Sequence, residues 1–430
     1  MSFLRSLFSG VSGLRSHQLM MDVLGNNIAN VNTVGFKGGR ITFGDLFSQT
    51  LRGATQPVDG LNGGVNPQQV GLGAGVNTLD TIFNQGSIEN TNVSTDLAIA
   101  GTGFFIVNLG GQNFYSRVGT FEFDANGTLS HPGTGARLQG KMADALGVVP
   151  PGTTLEDIRI AQDTRSPARA TGNVRFSGNL SSSLTPPDGD WDTTVDVIDS
   201  LGTKHEIQVS FTKDTNGTNT WNWTATVAGT NDPATLIGGN AGTLVFNSDG
   251  TLQSSTGGDP LELDPNNGAT SPQQITLDFG VPSPTTPGVY RGITQSAGNS
   301  SVTVREQDGY VAGVLTGIEI DTTGKVIGAF SNGDKRTLAQ IMMAEFNNPG
   351  GLVRKGDNLF DSSGNSGIAA IIQPGAGSNS IIKSGALEQS NVDLSEEFTR
   401  MILAQRGFQA NARVITTSDE FLTEVVNLKR

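Results

Sequence analysis

The 430-residue chain carries 40 acidic against 27 basic residues, a net charge of −13, and no cysteine. That balance argues against nucleic acid or an anionic membrane as the main partner, and the lack of thiols excludes disulfides, thiolate metal sites and a cysteine nucleophile. With 35% hydrophobic residues, 16% charged residues and 58 glycines, the length exceeds one ordinary core and the composition suits many short strands joined by Gly/Asn/Asp turns.

The chain opens with MSFLRSLFSGVSGLRSHQLMMDVLG, in which Ser, Gly, Arg and His interrupt any apolar core, so it does not read as a cleaved secretory signal. No window reaches eighteen apolar residues, and no transmembrane helix or membrane insertion is expected. If the protein leaves the cytoplasm, it uses a route that needs no cleaved peptide. Leu7, Leu14, Met21 and Ile28 instead fall seven residues apart, with Leu4 and Val11 on the half-heptad row. At the other end Leu394, Met401, Phe408, Ile415 and Leu422 repeat the spacing, and Phe398, Ala412 and Val426 supply the second row. Such a/d spacing marks a helix packed lengthwise on another helix. An N-terminal assembly helix over 1–31 is therefore expected to pair as a coiled coil with a C-terminal helix over 390–430. The alternative is that each helix lies separately on β domains. Asp393 is placed as N-cap with Glu396 three residues on. Arg5, Arg15 and His17 mark a face that is either solvated or read by an export apparatus.

The first helical pattern ends in NNIANVNTVGFK, where Asn26, Asn27 and Asn30 offer side-chain hydrogen bonds that compete with helix continuation and Gly35 permits a turn. This stretch is read as the joint between helix and outer domains, with Phe36 set to anchor against a neighbouring subunit. An extended linker region is expected over 32–70. The body beyond it reads as strands: DLAIAGTGFFIV, FEFDANGTLSH, TTVDVID, HEIQVSF, WNWTATVAG, ITLDFG, SVTVREQDGYVAG and GIEIDTTGKVIGAF alternate or form short apolar runs. Hairpin turns are expected at Asp124 to Gly127, Asn247 to Gly250 and Asp321 to Gly324. A Pro-bounded shift in composition over 146–285, which holds all three tryptophans, marks an inserted outer β domain; 71–145 plus 286–389 form the middle β domain. The fold class is α+β, mostly β, with nested β-rich domains between paired terminal helices.

Chemistry is sparse. GARLQGKM has phosphate-loop spacing but ends in Met142 where a Ser or Thr hydroxyl is needed, and reads as a turn between strands. The Asp/Asn/Gly turns lack the twelve-residue calcium loop. Three scattered histidines with no H-E-x-x-H make no zinc site, and nothing picks out two of the 40 carboxylates as a catalytic pair. No catalytic residue, metal or cofactor is expected. A β-rich adhesin or carbohydrate-active protein, with the tryptophans as a sugar platform, is the rival reading, but it leaves the matched heptads unexplained.

The stretch LGNNIANVNTVGFK, with Asn27, Ala29, Asn30, Thr33, Gly35, Phe36 and Lys37 in place, resembles the N-terminal signature of the bacterial flagellar axial proteins, the rod, hook and hook-junction subunits. The resemblance continues through residues 66–76, 86–107 and 115–140, resumes over 309–360 and finishes over 385–429. The length and the insertion are most similar to the hook branch of that family, with a distal rod subunit as the alternative. The resemblance implies a non-enzymatic subunit that polymerises with itself into a hollow helical tube, bending in the hook as a universal joint. It implies export by the flagellar type III apparatus, assembly under a hook cap, and contact with distal rod and hook-filament junction proteins. In some spirochaete hooks a cysteine enters an inter-subunit cross-link; this chain has none.

Overall fold

The computed structural model describes residues 2–56, 64–161, 163–185, 190–215, 217, 219–229, 232–257, 260–280, 292–377 and 380–427. It is mostly β, with α1 (Ser2–Ala29) at one end and α2 (Leu394–Asn427) at the other. Asp393 starts α2 as expected: its Oδ1 accepts the Ser395 and Glu396 amides at 2.8 and 3.3 Å, satisfying two of the donors a helix start leaves free. At the end of α1, Asn30 Nδ2 donates to the Asn26 carbonyl at 2.9 Å, capping the helix from the side chain.

The chain divides into two compact units: Met1–Gln162, Ile318–Gly328 and Arg336–Arg430 make unit 1, and Asp163–Gly317 with Ala329–Lys335 make unit 2. Both borders of unit 2 fall later than 146 and 285. The reason on the first side is that the Pro150–Pro151 loop belongs to unit 1, where it leads into strand Glu156–Asp157 paired on Arg137–Met142. On the second side, strands Ile293–Ser296 and Thr303–Gln307 pair with Asn173–Ser181 and so extend unit 2 past the Pro-rich stretch.

Unit 2 is two sheets over one core. The five-stranded antiparallel sheet runs Asp190–Ile198, Lys204–Lys213, Thr220–Val227, Ala241–Phe246, Leu252–Thr256, and the other is built around Asn173–Ser181. Period-two patterning aims Ile207, Val209 and Phe211, then Trp221, Trp223 and Ala225, at the same interior. Trp223 and Phe279 lie 5.2 Å apart, ring centroid to centroid, and Phe176 stacks on Phe279. The tryptophans are therefore core, not an exposed sugar platform.

Unit 1 centres on the hairpin Phe104–Leu109 and Gln112–Ser116. Phe104 packs edge-on against Phe83, Phe346 and Phe360. The chain's last two strands close onto its early ones: Ile381–Ser384 pairs Leu97–Ala100, and Ala386–Glu388 pairs Ile88–Asn90. Much of the region expected as an extended linker, 32–70, is paired, in the ribbons Gly39–Asp45 with Ala74–Thr81 and Ser48–Arg52 with Gln68–Gly71. GARLQGKM is not a turn: Arg137–Met142 is a strand, and Gly140 is needed because a Cβ there would meet the Gln340 carbonyl at 2.3 Å.

One hairpin device recurs. Asp124, Asp144, Asp199 and Asp321 each accept backbone amides two and four residues on through Oδ1, all at 2.8–2.9 Å. The glycine three residues on takes a φ between +77° and +88°, which explains the D-x-x-G spelling.

Candidate functional site

The terminal helices pack on each other, and small or polar residues make the contact. Ser6 Oγ lies 3.4 Å from Ser418 Oγ. Added Cβ atoms at Gly10, Gly13 and Gly407 would sit 3.2 Å from Ile415, 2.7 Å from Asn411 and 2.5 Å from His17. At the far end Asn27 Nδ2 donates to Glu397 Oε2 at 3.0 Å. Residues 6, 13 and 27, with 10, 17 and the buried Leu24, follow the heptad rhythm, as do 397, 404, 411 and 418. The seam has the expected period but lies one residue towards the N-terminus of the expected rows on both helices.

Most of the expected seam residues flank the contact, while Ile415 enters it against Gly10. Leu7, Leu14, Met21 and Ile28 are half-buried, as are Met401, Phe408, Ala412 and Ile415. Val11, Leu394, Phe398, Leu422 and Val426 are exposed, and the Leu4 side chain lies outside the described residues. Helix separation is set by the side chains at the crossing: glycine and serine let the axes approach, and a leucine row would hold them apart. Beside the rows, Phe8, Ile402, Leu403 and Phe421 are 68%, 58%, 64% and 55% exposed. Arg15 is on the solvated side, whereas His17 is not: it lies under Gly407 and 6.0 Å from the Phe43 ring.

The joint is built from residues 26–39. Gly35 has φ +66°, and its amide donates to the Glu388 carbonyl at 2.7 Å. Phe36 is 5% exposed, with the Arg354 guanidinium 5.3 Å above its ring and donating to the Lys37 carbonyl. It therefore anchors inside its own subunit, contrary to the expectation of a neighbour, because the turn at Gly35 folds it under strand Val353–Gly356. Lys37 is fully buried: Nζ donates to Glu388 Oε1 at 2.6 Å and to the Asn84 carbonyl at 2.8 Å. Arg117 reaches the other oxygen of Glu388 at 3.2 Å and donates to the Gly101 carbonyl. Burial pushes the Lys37 ammonium below the usual lysine range, with Glu388 opposing the shift.

Asn27 ties helix to ribbon by a reciprocal pair, Nδ2 to the Gly39 carbonyl and the Gly39 amide to Oδ1, both at 2.8 Å. Asn391 does the same for the other end of the chain, accepting the Gly38 amide and donating to the Ile82 carbonyl. Thr33 Oγ1 donates to Asn30 Oδ1 at 3.1 Å, holding the turn after α1, and Ala29 is an exposed spacer. The motif residues are thus brought together with Glu388, Asn391, Arg117 and Arg354, none of which sequence reasoning singled out. Only Asn391 gave a signal, as an asparagine just before a capped helix.

In unit 2, His205 lies between two carboxylates, Nδ1 2.8 Å from Asp232 and Nε2 3.3 Å from Asp199. Burial pushes the Asp199 carboxyl up, but hydrogen bonds from Asn267, Thr203, His205 and Leu201 outweigh it and bring the carboxyl down to about 2. The cluster pins a hairpin, with Asn267 donating to both Asp199 and Thr203.

Four family models match the chain: Flagella basal body rod protein over 7–37, Flagellar hook protein FlgE/F/G D1 domain over 98–175, Flagellar basal body protein FlaE D2 domain over 173–310, and Flagellar basal body rod FlgEFG protein C-terminal over 383–428. The flagellar hook protein FlgE of Borreliella burgdorferi is 42% identical, covering 99% of this chain and 100% of its own. The flagellar hook protein FlgE of Treponema pallidum is 39% identical at the same coverage. The flagellar basal-body rod protein FlgG of Bacillus subtilis is 30% identical, again over 99% of this chain and 100% of its own.

Proposed function

The chain belongs to the flagellar hook protein family, and from that premise we propose that it is the structural subunit of a bacterial flagellar hook. It polymerises with itself into a hollow, bendable tube outside the cell, a universal joint carrying motor torque from rod to filament. Its contacts at the two ends of the tube are the distal rod and the hook-filament junction proteins, with the hook cap at the growing tip. The flagellar type III apparatus exports it, and its role is mechanical, with no catalytic step.

The observation that carries this reading is the division of labour on the helix pair. Gly, Ser, Ala and Asn line most of the contact within one subunit, joined by Leu24 and Ile415, while Phe8, Ile402, Leu403 and Phe421 stay exposed beside it. An apolar surface of that kind marks an interaction site, and burial against further copies contributes about 25 cal/mol per Å². Helix pairs packed on helix pairs then form the inner layer of the tube. Full-length identity of 42% and 39% to two hook proteins supports the hook reading.

Leu403→Asp tests the reading. Leu403 is 64% exposed, so the variant folds as a monomer, whereas placing an unpaired charge between copies costs several kcal/mol. Electron micrographs under assembly conditions should show curved tubes for the parent protein and none for the variant. Normal tubes from Leu403→Asp would remove the helix pair from the inter-subunit contact. Cells lacking the protein should keep their rods and lose their hooks; loss of the rods would make it a rod subunit.

A further inference from the structure

The joint places one buried carboxylate between two buried cations. Glu388 has 0% side-chain exposure, Lys37 0% and Arg117 1%. Burial and the Arg117 charge both act against the Lys37 ammonium, and Glu388 holds both cations. Without that carboxylate, Lys37 keeps the Asn84 carbonyl and Arg117 keeps the Gly101 carbonyl. Those are dipoles, and beyond them only the weaker pull of Glu345 acts on Arg117, so the two charges are not cancelled out of water.

The groups come from distant parts of the chain. Glu388 lies 351 residues after Lys37 and 271 after Arg117. It enters on the strand Ala386–Glu388, just before α2. The same residue also accepts the Gly35 amide through its carbonyl and the Gly86 amide through Oε1, at 2.7 and 2.9 Å. A buried ion pair is seldom worth more in stability than a well-packed apolar substitute. What the charge adds here is a condition: closure of the N-terminal motif requires the C-terminal strand.

We propose that Glu388 is the positioning residue of the joint, neutralising Lys37 and Arg117 so that residues 35–39 close onto unit 1 only when the strand leading into α2 has docked. The two terminal helices are then held or released together. Asn27 and Asn391 carry the coupling outward, because the Gly39 and Gly38 amides they accept follow Lys37 directly. The coupling is a property of the single subunit and is independent of whether the subunit builds a hook.

The test is hydrogen exchange of the full-length monomer, comparing the parent, Glu388→Gln and Lys37→Met/Glu388→Gln. Breaking a buried pair from one side costs about 3–5 kcal/mol, or a hundredfold or more. Glu388→Gln should therefore speed exchange of the Gly35, Gly38, Gly39 and Gly86 amides at least a hundredfold. The first-turn amides of α2 should accelerate in step, and the tryptophan fluorescence of unit 2 should stay unchanged. Adding Lys37→Met removes one stranded cation and should slow exchange back at least tenfold, even if Glu388→Gln alone loosens all of unit 1. Parent-like exchange in Glu388→Gln, unchanged α2 amides, or a double variant as fast as the single would each overturn the proposal.

Discussion

At Gly35 the backbone sits at φ +66°, and a Cβ would lie 2.8 Å from the Val118 amide nitrogen and 2.9 Å from the Arg117 carbonyl carbon. Both objections concern backbone, so neither relaxes by a rotamer change. Left-handed geometry alone costs an L-residue about 1–2 kcal/mol. Gly35→Ala should therefore destabilise unit 1 by about 2 kcal/mol or more, read as a lower urea midpoint by far-UV circular dichroism. A midpoint equal to the parent's would mean that the turn is not held. The glycine was legible because its freedom is written in its own identity. The anchoring of Phe36 inside its own subunit and the burial of Lys37 were not legible, because what buries them is Arg354 and Glu388, residues more than three hundred positions away.

Among the elements, those made by local chemistry were the readable ones. D-x-x-G spelled its hairpins, Asp393 spelled the start of α2, and the alternation in HEIQVSF and WNWTATVAG gave the strands their inward faces. The helix seam was readable in period but not in phase. Heptads of leucine suggest that leucine faces the partner, yet Gly10, Gly13 and Gly407 admit the close approach, and of the predicted rows Ile415 enters the contact while most of the others lie beside it. The hairpin at Asp199 adds a pH dependence. Its carboxyl falls from an ordinary 3.8 to about 2 in the folded protein, so it stabilises unit 2 fully above about pH 4 and loses that contribution as pH falls through 2. The difference is worth about 2 kcal/mol. Tryptophan fluorescence, which reports unit 2 alone, should show that much less acid sensitivity between pH 4 and 2 in Asp199→Asn, along with lower stability at pH 7. An unchanged acid limb would place the sensitivity elsewhere.

For the whole chain, the order of helix, β unit, inserted β unit, resumed β unit and helix was legible from where the patterning changes, and the unit borders were not. A proline-rich loop signals a break in regular structure without saying which unit owns it, and the 150–151 loop belongs to unit 1. The same nesting makes a prediction about where assembly resides. The cores of both units are formed by β residues: the Trp221, Trp223 and Phe279 cluster in one and the Phe104, Phe346 and Phe360 cluster in the other. Among the described residues, neither of these clusters includes a residue of α1 or α2. A fragment spanning 32–392, without the helices, should therefore keep both β cores. With the exposed side chains of α1 and α2 removed, it has lost the surface proposed to join copies, although Phe47, Leu51 and Leu79 on the two ribbons stay exposed at 76%, 56% and 61%. Analytical ultracentrifugation should find the fragment monomeric under conditions where the full chain forms tubes. The full chain should also gain helical circular dichroism on polymerising, since an isolated pair rich in Gly and Ser draws most of its helix stability from packing. A stable oligomer of the fragment would move the primary contact to the β surfaces, and tubes formed with no gain of helix would mean that the pair is already complete in the monomer.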